Sequence, residues 1–201
     1  MTKNLFAGWA LYLLALPLFP QNGDLRIGAG YFGETATHPG FALHLEYVRN
    51  HTTQISTPLR ADLGAYFHGR NHDALIVDIH AGLREKFGKR FALEQYLGLG
   101  ALVSFYNGDG IFQVDAGGAI QRVSPLGNAA FMPSVTLGIW IAAGKKNDPE
   151  RWAVHFRPKA FWQFPYNNMA MPHFALQAGF TYRIKTVAGR KPASQSLKTA
   201  I

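Results

Sequence analysis

Acidic side chains and histidine or arginine side chains recur at matching positions of this chain, and such pairs serve either acid–base catalysis or charge neutralisation. If the turn at 69–73 is symmetric, Asp62 lies opposite His80; if the turn at 87–91 is symmetric, Arg84 lies opposite Glu94. A carboxylate beside a histidine could act as a general base, but packed ionic networks have the same composition. We therefore interpret one set of residues as a structural polar network in the interior: Arg26, His44, Glu46, Arg60, Asp62, Asp78, His80, Arg84, Glu94, His155, Arg157 and Arg183.

A serine nucleophile would need a histidine beside it, and the sequence offers few serines for such a pair. Ser104 and Ser134 lie in periodic segments, and neither belongs to a recognisable nucleophile motif. His68, His72 and the adjacent Asp73 could ligate a divalent metal ion, but their spacing in a loop fixes no ligand geometry. The sequence therefore predicts no catalytic residues and no metal-binding residues.

One glycine-rich segment, GAGYFG at 28–33, matches the G-x-G-x-x-G pattern of dinucleotide-binding folds. That pattern binds a cofactor only where a strand precedes it and a helix begins within it. Here an apolar N-terminal segment precedes it and an extended segment follows, so we expect no cofactor. The absence of cysteine excludes a disulfide scaffold, a thiolate metal site and a cysteine nucleophile.

The composition indicates one domain made of many strands. The 201 residues carry a formal net charge of +8, yet only 16% of them are charged, against roughly 25% in soluble domains. Glycine (21 residues) and aromatic residues (13%) are both abundant, which is typical of short strands joined by turns. A hydrophobic content of 48% excludes a disordered polyelectrolyte.

The N-terminus has the features of a secretory signal peptide. Lys3 precedes an uncharged apolar run at 5–19, and the polar segment PQNGD follows. The run is short for a membrane-spanning helix, and no later apolar stretch reaches about 18 residues. We expect residues 1–23 to be the signal peptide of an exported chain; a buried N-terminal helix is the alternative.

Apolar and polar residues alternate along most of the remaining chain, as they do in strands with two different faces. Leu75, Val77 and Ile79, for example, alternate with Asp78 and His80. The polar set combines glycine, histidine, acids and arginine with few lysines, which suits the narrow interior of a small barrel better than a solvated face. The apolar set would then contact lipid, with aromatic residues at the strand ends.

The strand count follows from parity, because single-chain bacterial barrels have an even number of strands. Nine segments look extended, but 111–123 contains the turn signal DAGG and reads as a short hairpin within a long outer loop. The eight remaining strands are predicted near 24–33, 41–49, 59–68, 74–86, 90–105, 130–143, 152–164 and 173–185.

Three segments, YFHGRNHDAL, FMPSVTLGIW and the closing HFALQAGFTYRI, carry a family resemblance. Through them the chain resembles small eight-stranded bacterial outer-membrane β-barrel proteins, and more narrowly a family of exported barrel proteins. The resemblance covers roughly residues 24–185 and implies a fold more specifically than an activity, since such barrels serve as adhesins, anchors and acyl-chain enzymes. The His-Ser-Asn run of the lipid A deacylase barrels is missing, and the chain continues beyond the closing strand.

The sequence therefore predicts an all-β, eight-stranded antiparallel up-and-down transmembrane barrel with a side-chain-filled interior at 24–185, followed by a basic, disordered periplasmic tail at 186–201. We expect it in the bacterial outer membrane, in contact with outer-membrane lipids, with a structural or surface-interaction role. A surface partner would meet the loops 106–129 and 165–172, and no nucleic-acid partner is expected. The alternatives are an outer-leaflet deacylase or acyltransferase, and a soluble lipocalin-like binder.

Overall fold

The structure, a computed structural model, describes residues 23–35, 37–69, 72–106, 112–114, 117–122, 129–166 and 169–187. Within these ranges the regular elements are all strands. They are β1 (Gly23–Glu34), β2 (Gly40–Asn50), β3 (Ile55–His68), β4 (His72–Phe87), β5 (Phe91–Tyr106), β6 (Phe112–Val114), β7 (Ile120–Arg122), β8 (Ala129–Ala142), β9 (Trp152–Tyr166) and β10 (Met169–Val187).

Eight of these strands form a closed barrel. Its order is β1-β10-β9-β8-β5-β4-β3-β2, and every neighbouring pair is antiparallel. The first and last strands close the ring by a ladder that runs from Gly23 opposite Val187 to Glu34 opposite Ala175. The predicted fold class, an eight-stranded antiparallel up-and-down barrel, is confirmed.

Strands β6 and β7 form a separate two-stranded sheet between β5 and β8. Phe112 pairs with Arg122 and Val114 pairs with Ile120, as the predicted hairpin within 111–123 requires. Gly118 has a φ of +82°, a left-handed conformation that glycine adopts at little cost in such a turn. We call the barrel end that carries this hairpin the hairpin end, and the opposite end, where Gly23 and Val187 lie, the terminal end.

The side chains alternate between an apolar outer surface and an ionic interior. Ile79 and Leu99 are 59% and 61% exposed, whereas Asp78 and Arg84 are 1% exposed or less. A soluble protein would bury the apolar set, so this arrangement requires an apolar surrounding such as lipid hydrocarbon. The barrel strands have 11 to 19 residues, and a tilted strand needs about 9–11 to span a bilayer.

Two strands begin earlier than predicted. β3 begins at Ile55 rather than at 59, and β10 begins at Met169 rather than at 173. The polar and proline-containing sequences there look like turns, yet Ser56 and Pro58 are buried and keep the inward parity of β3. In the part of the chain that the structure describes, no helix is long and apolar enough to cross a membrane.

The predicted signal peptide at 1–23 and the predicted tail at 186–201 fall outside the described residues, except for Gly23, Thr186 and Val187, which belong to barrel strands.

Candidate functional site

The structure places the predicted polar network on the inner wall of the barrel. Arg183 is partly exposed at the terminal end, and the other members of the predicted set are buried. Successive strands contribute them from alternate positions, because every second side chain of a strand points inward. They form several clusters along the barrel axis.

Two glutamates and two arginines form a closed cluster, which we call the Glu46–Glu94 cluster. Arg84 Nη2 lies 2.7 Å from Glu46 Oε1, and its Nε donates to Glu94 Oε1 at 2.7 Å. Arg157 Nε donates to Glu94 Oε2 at 2.7 Å, and the Tyr96 hydroxyl lies within hydrogen-bond distance of both carboxylates, 3.0 Å from Glu94 Oε1 and 3.2 Å from Glu46 Oε2. The charges balance, and the strong guanidinium–carboxylate bonds leave the acids with partners rather than free for proton transfer.

A second balanced group, the Asp62–Asp78 cluster, joins the neighbouring strands β3 and β4 to Lys159 of β9 across the lumen. Arg60 Nε lies 2.9 Å from Asp62 Oδ1, and the ammonium of Lys159 contacts Asp78. His80 Nε2 lies between the two carboxylates, 3.0 Å from Asp78 Oδ2 and 3.4 Å from Asp62 Oδ2. The formal charges of the two carboxylates and of the Arg60 and Lys159 side chains again cancel.

The strand register corrects one predicted pair and confirms another. Arg84 faces Glu94 across the β4–β5 ladder, as predicted. Asp62 faces Asp78 rather than His80, and His80 faces Arg60. The reason is that the pairing of β3 with β4 is centred one residue earlier in the chain than the middle of the predicted turn 69–73. His80 nevertheless reaches Asp62 diagonally.

His44 and His155 interact around one hydroxyl group. His44 Nε2 and His155 Nδ1 each lie 3.3 Å from Thr181 Oγ1, and the two rings meet edge to face at 5.1 Å. Neither imidazole has a carboxylate within hydrogen-bond distance among the described residues. The two imidazoles are buried side chains that pack against each other in the barrel interior.

Ion pairs also close the terminal end of the barrel. Arg26 Nη2 lies 3.0 Å from Asp24 Oδ2, and its Nη1 donates to the Glu150 carbonyl oxygen at 2.9 Å. Lys86 Nζ lies 2.7 Å from Glu150 Oε1. Three acids and three bases take part in this terminal-end cluster: Asp24, Asp148, Glu150, Arg26, Lys86 and Arg183.

Aromatic rings fill the space between the charged clusters. The guanidinium carbons of Arg26 and Arg84 lie 5.4 and 5.0 Å from the Trp140 ring. Those of Arg60 and Arg157 lie 4.6 and 5.5 Å from the Tyr96 ring. Cation–π contacts of this kind gain strength where water is excluded. The predicted network omitted these aromatic residues and Lys159, although all of them share its inward parity.

Four histidines and one glutamate meet at the hairpin end; we call Glu34, His38, His68, His72 and His173 the rim histidine cluster. His38 Nδ1 lies 2.5 Å from Glu34 Oε2, and His173 Nδ1 lies 3.1 Å from Glu34 Oε1. The rings of His38 and His68 are 3.7 Å apart, and those of His68 and His72 are stacked at 5.7 Å. Sequence reasoning identified only His68 and His72, because the other members come from β1, the loop after it and β10.

The serine–histidine pair that a lipid hydrolase would need is not assembled among the described residues. Ser104 is buried opposite Ala74, and no hydrogen bond joins it to a histidine in the described ranges. The buried Ser134 hydroxyl has no hydrogen-bond partner there. The glycine-rich segment 28–33 lies within β1, without the helix of a dinucleotide site.

No family model matches the chain, and no curated protein matches it. Its structure is similar to that of Ail, the attachment invasion locus protein of Yersinia pestis, crystallised with the heparin analogue sucrose octasulfate. The TM-score is 0.51 at 12% identity, over 81% of this chain and 99% of that chain.

Two further structures are similar. Neisserial surface protein A gives a TM-score of 0.48 at 11% identity, over 80% of this chain and 96% of that chain. The N-terminal β-barrel domain of Pseudomonas aeruginosa OprF gives 0.41 at 13% identity, over 80% and 99%. At these identities the likeness concerns the fold.

The predicted resemblance to small eight-stranded outer-membrane barrels is therefore confirmed for the fold. The outer membrane is the location that this fold and the apolar outer surface indicate. The likeness carries no information about catalysis.

Proposed function

We propose that this chain is a non-catalytic anchor of the outer membrane that presents its hairpin-end loops to a partner at the cell surface. The terminal end then faces the periplasm, where both termini of bacterial barrels lie. The observation that carries the proposal is the interior, in which charged side chains are paired with one another across the lumen. Such a barrel is a rigid support rather than a reaction chamber.

The interior also argues against a general pore. Trp140, Tyr96, Phe161 and the arginines of the ionic clusters are among the largest fully buried side chains. An eight-stranded barrel encloses little more volume than its inward side chains occupy. Solute passage would require breaking balanced ion pairs in a medium of low dielectric constant, at a cost of several kcal/mol for each charge left unpaired.

The hairpin β6–β7 offers the surface for a partner. Phe112, Val114 and Ile120 are 59%, 69% and 73% exposed. Val114 and Ile120 are paired across the hairpin, and Phe112 shares their parity, so the three lie on one face. Apolar side chains grouped in this way outside the membrane mark a contact surface.

The charge of the outer loops favours an apolar protein surface over a polyanion as the partner. Ail was crystallised with a heparin analogue. In this chain the outer segments 34–40, 69–73, 106–129 and 165–172 contain two arginines and no lysine, against four acids. A polyanion needs a basic patch, whereas an apolar protein surface can pack against the hairpin.

Cell attachment tests this proposal. Bacteria that display the full-length protein are counted on surfaces coated with extracellular-matrix proteins, and the Val114→Asp/Ile120→Asp double variant is compared with wild type. We expect the double variant to lose attachment, while Gln121→Asp, on the other hairpin face, retains it. Attachment of the double variant at the wild-type level, or no attachment by wild type, would contradict the proposal.

The same cells test the enzymatic alternative. The mass spectrum of lipid A is compared between cells with the wild-type protein, cells with Ser104→Ala and cells with an empty vector. We expect identical spectra. A wild-type change in acylation that Ser104→Ala abolishes would replace the anchor role with lipid modification.

A further inference from the structure

The charged side chains at the terminal end of the barrel fall into two sets. The three acids of the terminal-end cluster are paired with the three bases of that cluster. A second set is basic and exposed, and we call it the basic arc: Lys89, Arg90, Lys145, Lys146, Arg151 and Lys185. In the described ranges, no member of the basic arc forms an ion pair with an acid. Glu85 adds one negative charge on the outer face of β4, so the exposed charge of this end is strongly positive.

The basic arc follows one side of the barrel. Its members come from the turn between β4 and β5, the turn between β8 and β9, and the end of β10, and these strands are neighbours in the ring. Backbone hydrogen bonds join its parts, since Ala142 N donates to the Arg90 carbonyl oxygen and Arg183 N donates to the Arg151 carbonyl oxygen. On the opposite side of the ring, the turn 51–54 between β2 and β3 contains no lysine or arginine. The positive charge is therefore concentrated on one side.

Aromatic side chains indicate the depth of the basic arc in the membrane. Lys89 and Arg90 lie in the chain between Phe87 and Phe91, whose rings pack against each other at 6.1 Å. Both phenylalanines lie on the outer surface, 54% and 37% exposed. Because aromatic girdles of membrane barrels lie at the membrane–water interface, cations next to them lie at the level of the lipid headgroups.

Arg151 is held in the same aromatic belt. Its Nη2 donates to the Tyr182 hydroxyl at 2.9 Å, and its guanidinium carbon lies 5.6 Å from the centre of that ring. The Trp152 ring packs against Tyr182 at 4.6 Å and is 45% exposed. The turn between β8 and β9 lies beside it, since Ala143 N donates to the Trp152 carbonyl oxygen at 2.7 Å. The indole of Trp152 is therefore placed to report on the lipids that contact the basic arc.

We propose that the basic arc binds the phosphate groups of anionic glycerophospholipids in the leaflet that surrounds the terminal end. Clusters of about four to eight lysines and arginines at a membrane surface select anionic lipids in this way. A soluble polyanion would be met by cations that project away from the bilayer, whereas these cations flank the aromatic belt, where lipid phosphates lie. The site lies at the end opposite the hairpin β6–β7 and does not depend on the anchor role.

Quenching of Trp152 fluorescence by brominated phospholipids tests the proposal. Trp9, Trp140 and Trp162 are replaced by phenylalanine, and the protein is folded into phosphatidylcholine vesicles. These vesicles contain the same mole fraction of either brominated phosphatidylglycerol or brominated phosphatidylcholine. Each basic side chain near an anionic surface contributes roughly fivefold in binding, so phosphatidylglycerol should be favoured at Trp152 by at least about fivefold. Equal quenching by the two lipids would overturn the proposal.

Two matched double variants separate the basic arc from the other positive charge of the chain. Lys145→Gln/Lys146→Gln removes two adjacent charges beside Trp152 and should lower the preference for phosphatidylglycerol at least about threefold. The control Arg190→Gln/Lys191→Gln removes two adjacent charges from the C-terminal segment and should keep the preference of the parent protein. An unchanged preference in the first variant, or equal losses in both, would contradict the assignment to the basic arc.

Salt provides a test that needs no further substitution. At about 1 M NaCl the Debye length is about 3 Å, so the preference should fall close to unity. A preference that salt leaves unchanged would show that charge does not cause it.

Folding is monitored by the gel mobility shift between unboiled and boiled samples. If a tryptophan variant fails to fold, native mass spectrometry of the unaltered chain, in detergent with equal amounts of the two lipids, decides the question. An excess of retained phosphatidylglycerol supports the proposal, and equal retention of the two lipids overturns it.

Discussion

At the scale of single residues, each charge in the barrel depends on the partner that cancels it. Glu94 receives hydrogen bonds from Arg84, Arg157 and Tyr96, and each of these groups is buried. Such a cluster adds little stability over a well-packed apolar core, but loss of one member leaves an uncompensated buried charge.

Glu94→Gln should therefore destabilise the barrel by about 3–5 kcal/mol, because Arg84 and Arg157 then share one carboxylate. The measurement is the free energy of unfolding by urea in lipid vesicles. Glu85→Gln removes the same charge from a position outside the ionic clusters and should change the stability by less than about 0.5 kcal/mol. Equal effects of the two substitutions would contradict the paired interior.

The candidate site could be predicted from sequence only where the partners are close in the chain. Arg84 and Glu94 face one another across a short turn, so parity and symmetry locate the pair. If the centre of a turn shifts by one residue, the residue that faces any given position on the next strand changes by two. This is why Asp62 faces Asp78 rather than His80. Glu34 and His173 meet because the barrel closes, and local patterns contain no such information.

At the scale of elements, glycines on the inner face determine how closely neighbouring strands pack. A methyl group on Gly100 would overlap the Cβ of Asp78 and the backbone of Val77 and Asp78. One on Gly64 would lie 3.5 Å from the Phe41 carbonyl oxygen, an ordinary contact. Two glycines in the same wall thus have different roles.

Gly100→Ala should cost about 1–3 kcal/mol, because the backbone must move to accept the methyl group. Gly64→Ala should be neutral or slightly stabilising, since it fits and restricts the unfolded chain. Urea unfolding of both variants in the same vesicles makes the comparison. A Gly64→Ala variant that is less stable than Gly100→Ala would contradict the packing described here.

The strands themselves were largely predictable, because lipid on one side and a narrow lumen on the other impose a period of two. The starts of β3 and β10 were not, since Pro58 and Pro172 are turn residues by type and strand residues here. The alternation of inward and outward side chains continues through the start of β3, but its polar and proline residues look like a turn in the sequence.

At the scale of the whole molecule, the proposed anchor role requires that the large buried side chains and the paired interior charges leave no open channel through the barrel. Purified protein in planar bilayers should show no stepwise conductance across the voltage range that the bilayer tolerates. Regular conductance steps that depend on protein would contradict the filled interior.

The outer surface makes a second prediction at this scale. Leu99→Arg, on the lipid-facing side of β5, should destabilise the barrel by about 2–4 kcal/mol, because charge is costly near the bilayer midplane. Ile55→Arg, at the terminal-end start of β3, should cost about 0–1 kcal/mol, as positions near the interface do. Equal costs in vesicle unfolding would show that Leu99 does not face hydrocarbon.

The central claim is that apolar side chains meet hydrocarbon while Trp140 and the ionic clusters are enclosed, and fluorescence quenching by brominated phospholipids tests it most directly. One variant keeps only Trp140, with Trp9, Trp152 and Trp162 replaced by phenylalanine; the other replaces all four and carries Leu99→Trp. In vesicles, the tryptophan at position 99 should be strongly quenched and Trp140 should be protected. Strong quenching of Trp140 with protection at position 99 would show that the two faces are reversed.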